Sequence, residues 1–286
     1  MNIYIIGIGL IGGSMALDIK STYPESTVYG IDINKSHIKQ ALEFGIIDEK
    51  AELKDLTAAE VVIVAIPVNA TVMSLPAILD YINDDTLVFD VGSTKSLICE
   101  SVANHSKRRN FLAAHPISGT EFSGPKAAVE GLFKDKTNII CEVEKTAFKL
   151  QERALKLFSA LGMRIRYMDA KAHDKHIAYV SHLSHISSFM LGKTVIEKEK
   201  NERDIFDMAS SGFESTVRLA KSSPDMWAPI FQQNKENIME TLEEYIANLE
   251  QFKKWMLQDN FEAIYGAMEQ TNTIKEILNG ITLKTT

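Results

Sequence analysis

The sequence predicts an α/β protein: a doubly wound, mostly parallel sheet in the N-terminal half, followed by an all-helical C-terminal domain. Three observations lead there. From residue 2 to about residue 168, short β-branched runs alternate with stretches of helical period, which is the pattern of parallel βαβ units. A spaced glycine turn follows the first of those runs. After Met168 no further β-branched run bounded by turn residues occurs.

The strand candidates are residues 3–6, 27–31, 61–65, 87–90, 111–114, 138–142 and 164–168. The run VVIVAI is apolar throughout, as a strand must be when helices cover both faces of its sheet. After the second strand, DINKSHIKQALEFG places Asn34 at a helix N-cap and Gly45 just past the helix end. A short side-chain oxygen suits the first position, and freedom to take positive φ suits the second. The change of character at Met168 divides the chain into domains 1–168 and 169–286. In the helical half the clearest start is Ser223-Pro224, a cap followed by proline at the first helical position. Trp227, Ile230, Phe231, Ile238, Leu242, Tyr245, Ile246, Leu249, Phe252 and Met256 then recur on one face. So long a stripe packs either within the chain or against a second subunit.

Composition narrows the function. With 286 residues, 45% hydrophobic and 24% charged, the chain can bury two cores and has no bias toward disorder. A net charge of -7 offers no cluster of positive charge, so neither nucleic acid nor a membrane surface is expected as a partner. The two cysteines, Cys99 and Cys141, are too few for a disulfide scaffold and lack zinc-site spacing, which points to a reducing compartment. The opening MNIYIIGIGLIGG has no basic leader and its apolar run is broken by glycine. Neither a signal peptide nor a spanning helix is expected, and a cytoplasmic location is.

Gly7, Gly9 and Gly12 form a G-x-G-x-x-G turn between a strand and a helix, the Rossmann context for a dinucleotide. The first glycine allows the tight turn, the second lets a pyrophosphate approach, and the third lets helix and strand pack closely. The pyrophosphate would sit on free amides at the helix N-terminus, where Leu10 and Ile11 follow the turn. Asp32 ends the second strand, where a carboxylate bonds ribose hydroxyls and repels the extra phosphate of NADP. NAD is therefore the expected cofactor. Pro67, at the end of the strand that runs into AIPVNAT, completes the cofactor-facing set.

Chemistry is expected at the C-terminal strand ends, in AIPVNAT, FDVGSTKS and AAHPISGTEFSGP, because ligands of open parallel sheets bind at that edge. Asn69, Ser93, Thr94, Lys95, His115, Ser118, Thr120 and Glu121 lie there. The GSTK stretch lacks the glycine spacing and lysine position of a phosphate-binding P-loop. His115 is the candidate general base, since oxidation of an alcohol requires a proton acceptor matched to neutral pH. Ser93 is expected to share a hydrogen bond with that base and the reacting hydroxyl. HDKHIAYVSHLSH carries His173, His176, His182 and His185, and the last two would share a helix face. No metal is expected there, because HExxH and carboxylates at ligand spacing are missing. Arg218, shortly before a helix start, reads either as a carboxylate clamp or as a surface ion-pair residue.

Taken together, GIGLIGGS, DVGSTK, HPISGTEFSGP, HD followed by SHLSH, and GFESTVRLAKSSPDMW resemble the prephenate dehydrogenase family, in order over roughly residues 1–235. The glycine loop is shared with many dehydrogenases, whereas the last three motifs are specific. The resemblance implies NAD-dependent oxidative decarboxylation of prephenate to 4-hydroxyphenylpyruvate in tyrosine biosynthesis, with no metal. It implies catalytic roles for His115 and Ser93, substrate-binding roles for Glu121, Arg218, His182, His185 and Trp227, and a homodimer formed through the helical domain. One departure stands out: where many bacterial members carry an acidic residue three before the arginine, this chain has Ser215. No N-terminal mutase domain and no C-terminal regulatory domain are expected, so feedback by tyrosine would act at the active site. Arogenate dehydrogenase, a 2- or 3-hydroxyacid dehydrogenase, and a non-catalytic NAD-sensing protein on the same fold are the competing expectations.

Overall fold

The computed structural model describes residues 1–200 and 204–283. Eight strands form one sheet: β1 (Asn2–Ile6), β2 (Thr27–Ile31), β3 (Glu49–Lys50), β4 (Val61–Val64), β5 (Leu87–Asp90), β6 (Phe111–Pro116), β7 (Thr137–Cys141) and β8 (Arg164–Met168). Their spatial order is β3-β2-β1-β4-β5-β6-β7-β8. Every neighbouring pair is parallel except β6 with β7. The strand order reverses between β1 and β4, and that switch point opens a crevice at the C-terminal strand ends.

Helices α1 (Leu10–Thr22), α2 (Lys35–Glu43), α3 (Val68–Tyr81), α4 (Ser96–Ser101) and α5 (Phe148–Ala160) connect the strands. Successive residues of a strand point to opposite faces. Ile3, Ile5, Ile63 and Phe89 accordingly pack with Met15 and Ile19 of α1 and Phe158 of α5. Tyr4, Val62, Val64 and Val88 pack on the other side with Leu75, Ile78 and Leu79 of α3. Both faces are dry, so the strands read as unbroken apolar runs. All seven expected strands are present, and their ends differ from expectation by at most about two residues, the usual uncertainty of such boundaries. The two-residue edge strand β3 escapes sequence reading because both its residues are charged and exposed. At α2, Asn34 accepts from Ser36 N at 2.9 Å and Gly45 takes φ +66°, so both ends form as the pattern requires.

Beyond β8 the described residues are helical: α6 (Ala170–Ile177), a π-helical turn (Ala178–His182), α7 (Leu183–Glu199), α8 (Ser211–Val217), α9 (Pro224–Gln233), α10 (Lys235–Leu257), α11 (Phe261–Thr271) and α12 (Ile274–Leu283). The apolar stripe from Trp227 to Met256 is not one helix. Asn234, at φ -107° and ψ 25°, interrupts it between α9 and α10. Its side-chain amide donates to Asp174 O at 2.7 Å, a tertiary bond that periodicity carries no sign of. Backbone contacts group residues 1–235 into one compact unit and residues 236–286 into another. None of the described helices is long and apolar enough to cross a membrane.

Candidate active site

The glycine turn has the geometry of a cradle. Gly7 sits at φ +95°, where a Cβ would stand 2.5 Å from Ala65 O, and a Cβ on Gly12 would stand 2.1 Å from Gly7 O. Both contacts are with backbone that has nowhere to move, so neither position admits a side chain. A Cβ on Gly9, by contrast, would meet nothing within 4 Å, leaving open the side on which a ligand approaches. α1 starts immediately afterwards with no side-chain cap, so its first amides stay free for an anion. Leu10 is buried and Ile11 packs on the core, so these two residues offer the site their amides rather than their side chains. Asp32 accepts from Ile8 N at 2.9 Å and from Asn34 N at 2.8 Å, which fixes its carboxylate beside the turn. Exposed Pro67 lines a groove of about 530 Å³ together with Asn34, His37 and Lys126.

β6 carries His115 to the ligand edge, where the side chain is 8% exposed. Its Nδ1 lies 2.8 Å from His173 Nε2, and His173 Nδ1 lies 2.8 Å from Asp174 Oδ1. Asp174 also accepts from Lys95 N at 2.7 Å and Ser96 N at 2.8 Å. Nε2 of His115 makes no hydrogen bond among the described residues. Burial first, and then His173, Lys95 and His182, push the His115 imidazole well below its ordinary pKa. It is therefore neutral, and a proton acceptor, at physiological pH. Lys95, close enough to act on that ring, is fully buried, with its ammonium paired to Asp90 and donating to Ala114 O at 2.7 Å.

A second cluster forms where the helices after β8 meet α9. The π turn, a feature frequent at functional sites, ends at His182. Trp227 stacks on His185 with ring centroids 3.5 Å apart and lies edge-on to His182 at 5.9 Å. Asn234 Nδ2 lies 3.1 Å from His182 Nδ1, so that nitrogen accepts and the proton sits on Nε2. Burial lowers the His182 pKa to about 4. His182 Nε2 and Trp227 Nε1 are both buried without a hydrogen-bond partner among the described residues. Two such donors in one cluster call for an acceptor that none of the described residues provides.

On the loop after β6, Glu121 accepts from Arg218 Nη1 at 3.0 Å. The guanidinium is half exposed and retains further N–H donors. Ser215, where an acidic neighbour was in question, is exposed and donates to Gly212 O at 2.9 Å, so it takes no part in the ion pair.

Sequence reading and structure part company at Ser93. No hydrogen bond joins Ser93 to His115 among the described residues, and His115 bonds His173 instead. The loop around Ser93 is held elsewhere: Gly92 N donates to Asp90, Thr94 Oγ1 donates to Gln233, and Lys95 N donates to Asp174. The sequence reading gives no role to Asp174 or Asp90, and it treats His173 as only one of four histidines. The adjacent His-Asp pair in HDKHI is the signal that was there to be read. His176 is exposed. No group of His, Cys, Asp and Glu among the described residues is arranged to hold a metal ion.

Comparison with known proteins gives the family. The model described as "Prephenate dehydrogenase, nucleotide-binding domain" matches residues 15–167, and "Prephenate dehydrogenase, dimerization domain" matches residues 169–270. The prephenate dehydrogenase of Bacillus subtilis is 30% identical over 99% of this chain and 76% of its own length. That of Lactococcus lactis is 32% identical over 96% of this chain and 77% of its own. The crystal structure of Aquifex aeolicus prephenate dehydrogenase in complex with hydroxyphenyl propionate and NAD+ superposes with a TM-score of 0.87 at 29% identity, covering 97% of this chain and 98% of that one.

Proposed function

The chain belongs to the prephenate dehydrogenase family, and from that premise we propose that it oxidatively decarboxylates prephenate to 4-hydroxyphenylpyruvate with NAD. The observation that carries the reading is His115: a buried, neutral imidazole at the ligand edge of the sheet, with Nε2 unbonded. The open side of Gly9, the uncapped start of α1 and the anchored Asp32 suit NAD and disfavour the extra phosphate of NADP. When bound, NAD supplies the hydride acceptor. His115 Nε2 takes the proton of the ring hydroxyl as hydride leaves the same carbon, and the ring carboxylate departs as carbon dioxide. Aromatisation drives the step. Ser93, on the loop above Lys95, would steer the reacting hydroxyl.

His182 Nε2–H and Trp227 Nε1–H, the two unsatisfied donors, would receive substrate oxygens, with His185 holding the indole in place by stacking. Arg218 would grip a substrate carboxylate through the donors that Glu121 leaves free, positioning the substrate without clamping the group that must leave. Replacing Arg218 with Ala should raise the KM for prephenate about 10- to 100-fold, for a lost charged hydrogen bond worth about 1.5 to 3 kcal/mol. In steady-state kinetics, an unchanged KM would reduce Arg218 to a surface residue.

The same reading makes 1–168 the NAD-binding domain and 169–286 the domain for substrate binding and homodimer formation. Exposed Ile246, Leu249 and Phe252 on α10 are the kind of apolar surface a second subunit covers. A cytoplasmic location suits two free, buried cysteines. Assay of the purified protein with prephenate and with arogenate, each with NAD and NADP, tests the reading. NADH and carbon dioxide from prephenate support it; NADH binding with turnover of neither substrate would leave only a nucleotide binder.

A further inference from the structure

We propose that His173 and Asp174 form a positioning relay that keeps the proton of His115 on Nδ1 and so leaves Nε2 bare to act as the base. The inference rests on the reading of His115 as that base and adds what prepares it.

The order of donors and acceptors runs outward from Asp174. Its carboxylate is buried on α6 and faces two backbone amides, Lys95 N on Oδ1 and Ser96 N on Oδ2, groups that can only donate. Burial alone would raise the carboxyl pKa, but the hydrogen bonds from His173, Ser96 and Lys95 outweigh it and hold the group ionised. An ionised carboxylate only accepts, so the contact of Oδ1 with His173 at 2.8 Å requires a proton on His173 Nδ1. In a neutral His173, Nε2 is then an acceptor. Its partner is His115 Nδ1 at 2.8 Å, which must therefore carry hydrogen. One tautomer remains for neutral His115, the one whose Nε2 lone pair is free. Two amides at the start of α4 thus select the protonation state of a ring two hydrogen bonds away.

The surrounding charges support the assignment. From β5 comes Asp90, from the loop before α4 Lys95, from α6 Asp174 and His173, and from the π turn His182. Lys95 and Asp90 pair with each other, and burial keeps His182 neutral. Asp174 is left as the anion that balances the imidazolium formed when His115 takes the substrate proton. The proton taken up stays on Nε2 and the original one on Nδ1, so no proton need travel to Asp174. If His173 were itself protonated it would donate from both nitrogens and turn His115 to the Nε2–H form, which is not a base. His173 is also one of the neighbours that lower the His115 pKa, so breaking the relay should move the acidic limb of turnover.

Nitrogen-15 NMR of histidine-labelled protein at pH 8 reads the tautomer directly, with His115→Asn identifying the resonance. A pyrrole-type Nδ1 and a pyridine-type Nε2 on His115 are expected; a protonated Nε2 in the neutral ring overturns the relay, whatever the variants do. His173→Leu and Asp174→Asn should lower kcat by about 10- to 10³-fold with NADH affinity kept within about twofold, and should shift the acidic limb of the kcat profile. His173→Gln, whose amide can still accept from His115 and donate to Asp174, should recover about tenfold over His173→Leu. Normal kcat and an unmoved acidic limb in folded His173→Leu, alongside an inactive His115→Asn, would refute the relay and leave the base standing. A His115→Asn enzyme with near-normal turnover would remove both.

Discussion

Replacing His115 with Asn is expected to slow turnover about 10²- to 10⁴-fold while NADH binding stays intact, the usual contribution of a general base. Asparagine keeps a donor near His173 and fills most of the same space, so the loss reports chemistry rather than a cavity. The imidazole is poised by its surroundings: burial, then His173, Lys95 and His182, hold its pKa well below the ordinary value. Turnover in the native enzyme should therefore stay level as pH falls through the usual histidine range, and drop only below it. The sign for stability is the opposite. An unfolded chain takes up protons at His115 and His182 once pH falls below their ordinary value of 6.5, whereas the folded chain resists until near the lowered values, about 4 for His182. Stability should thus decline from about pH 6.5 downward, a window set by these two rings. Stopped-flow and steady-state rates with bound-NADH fluorescence make the first measurement. A His115→Asn rate within a few fold of the native one would exclude this imidazole from the reaction.

Lys95→Met should lower stability by about 3 to 5 kcal/mol, the typical cost of stripping one partner from a buried ion pair. Both side chains of the Lys95–Asp90 pair are fully buried. Without the ammonium, Asp90 keeps only its bonds from Gly92 N and Ala114 N, and Ala114 O loses its side-chain donor. A fall in Tm of roughly 6 to 15 °C is the expected thermal signature. The pair does not stabilise by existing; it becomes costly when broken, because the remaining charge has no water. Adding Asp90→Asn to Lys95→Met should accordingly recover part of the loss, since the uncharged amide needs no counter-ion and its single oxygen can still accept from one of those two backbone amides. Thermal unfolding of the two variants decides the matter: a single variant within about 2 °C of the native Tm, or a double variant no better than the single, would contradict this account.

What could be read from the sequence was local. Gly7, Gly9 and Gly12 announce a turn because the three glycines lie within six residues, and at Gly7 and Gly12 the structure finds the backbone contacts that exclude a side chain. The strands were legible because a sheet covered on both faces demands unbroken apolar runs, and the end of such runs at Met168 marked where strands stop. Asn34 and Gly45 were legible for the same reason, each serving a helix end a few residues away. β3 was not, being two charged residues that pair on an exposed edge.

The candidate site divides along the same line. The family motifs put His115, Arg218, Trp227, His182 and His185 on the page, but not who holds whom. His115 meets His173 across 58 residues, Lys95 N meets Asp174 across 79, and Asn234 reaches back 60 to end a helix that periodicity would continue. Residue types and periods by themselves determined the sheet, the glycine cradle and the expected cofactor, and the resemblance of five motifs pointed to the family. Only the tertiary structure decided that His115 leans on His173 rather than Ser93, that Lys95 is buried against Asp90, and that the apolar stripe breaks at Asn234. The physical reason is range: backbone propensity and side-chain period act over a few residues, whereas a buried polar group must find its partner wherever folding brings one.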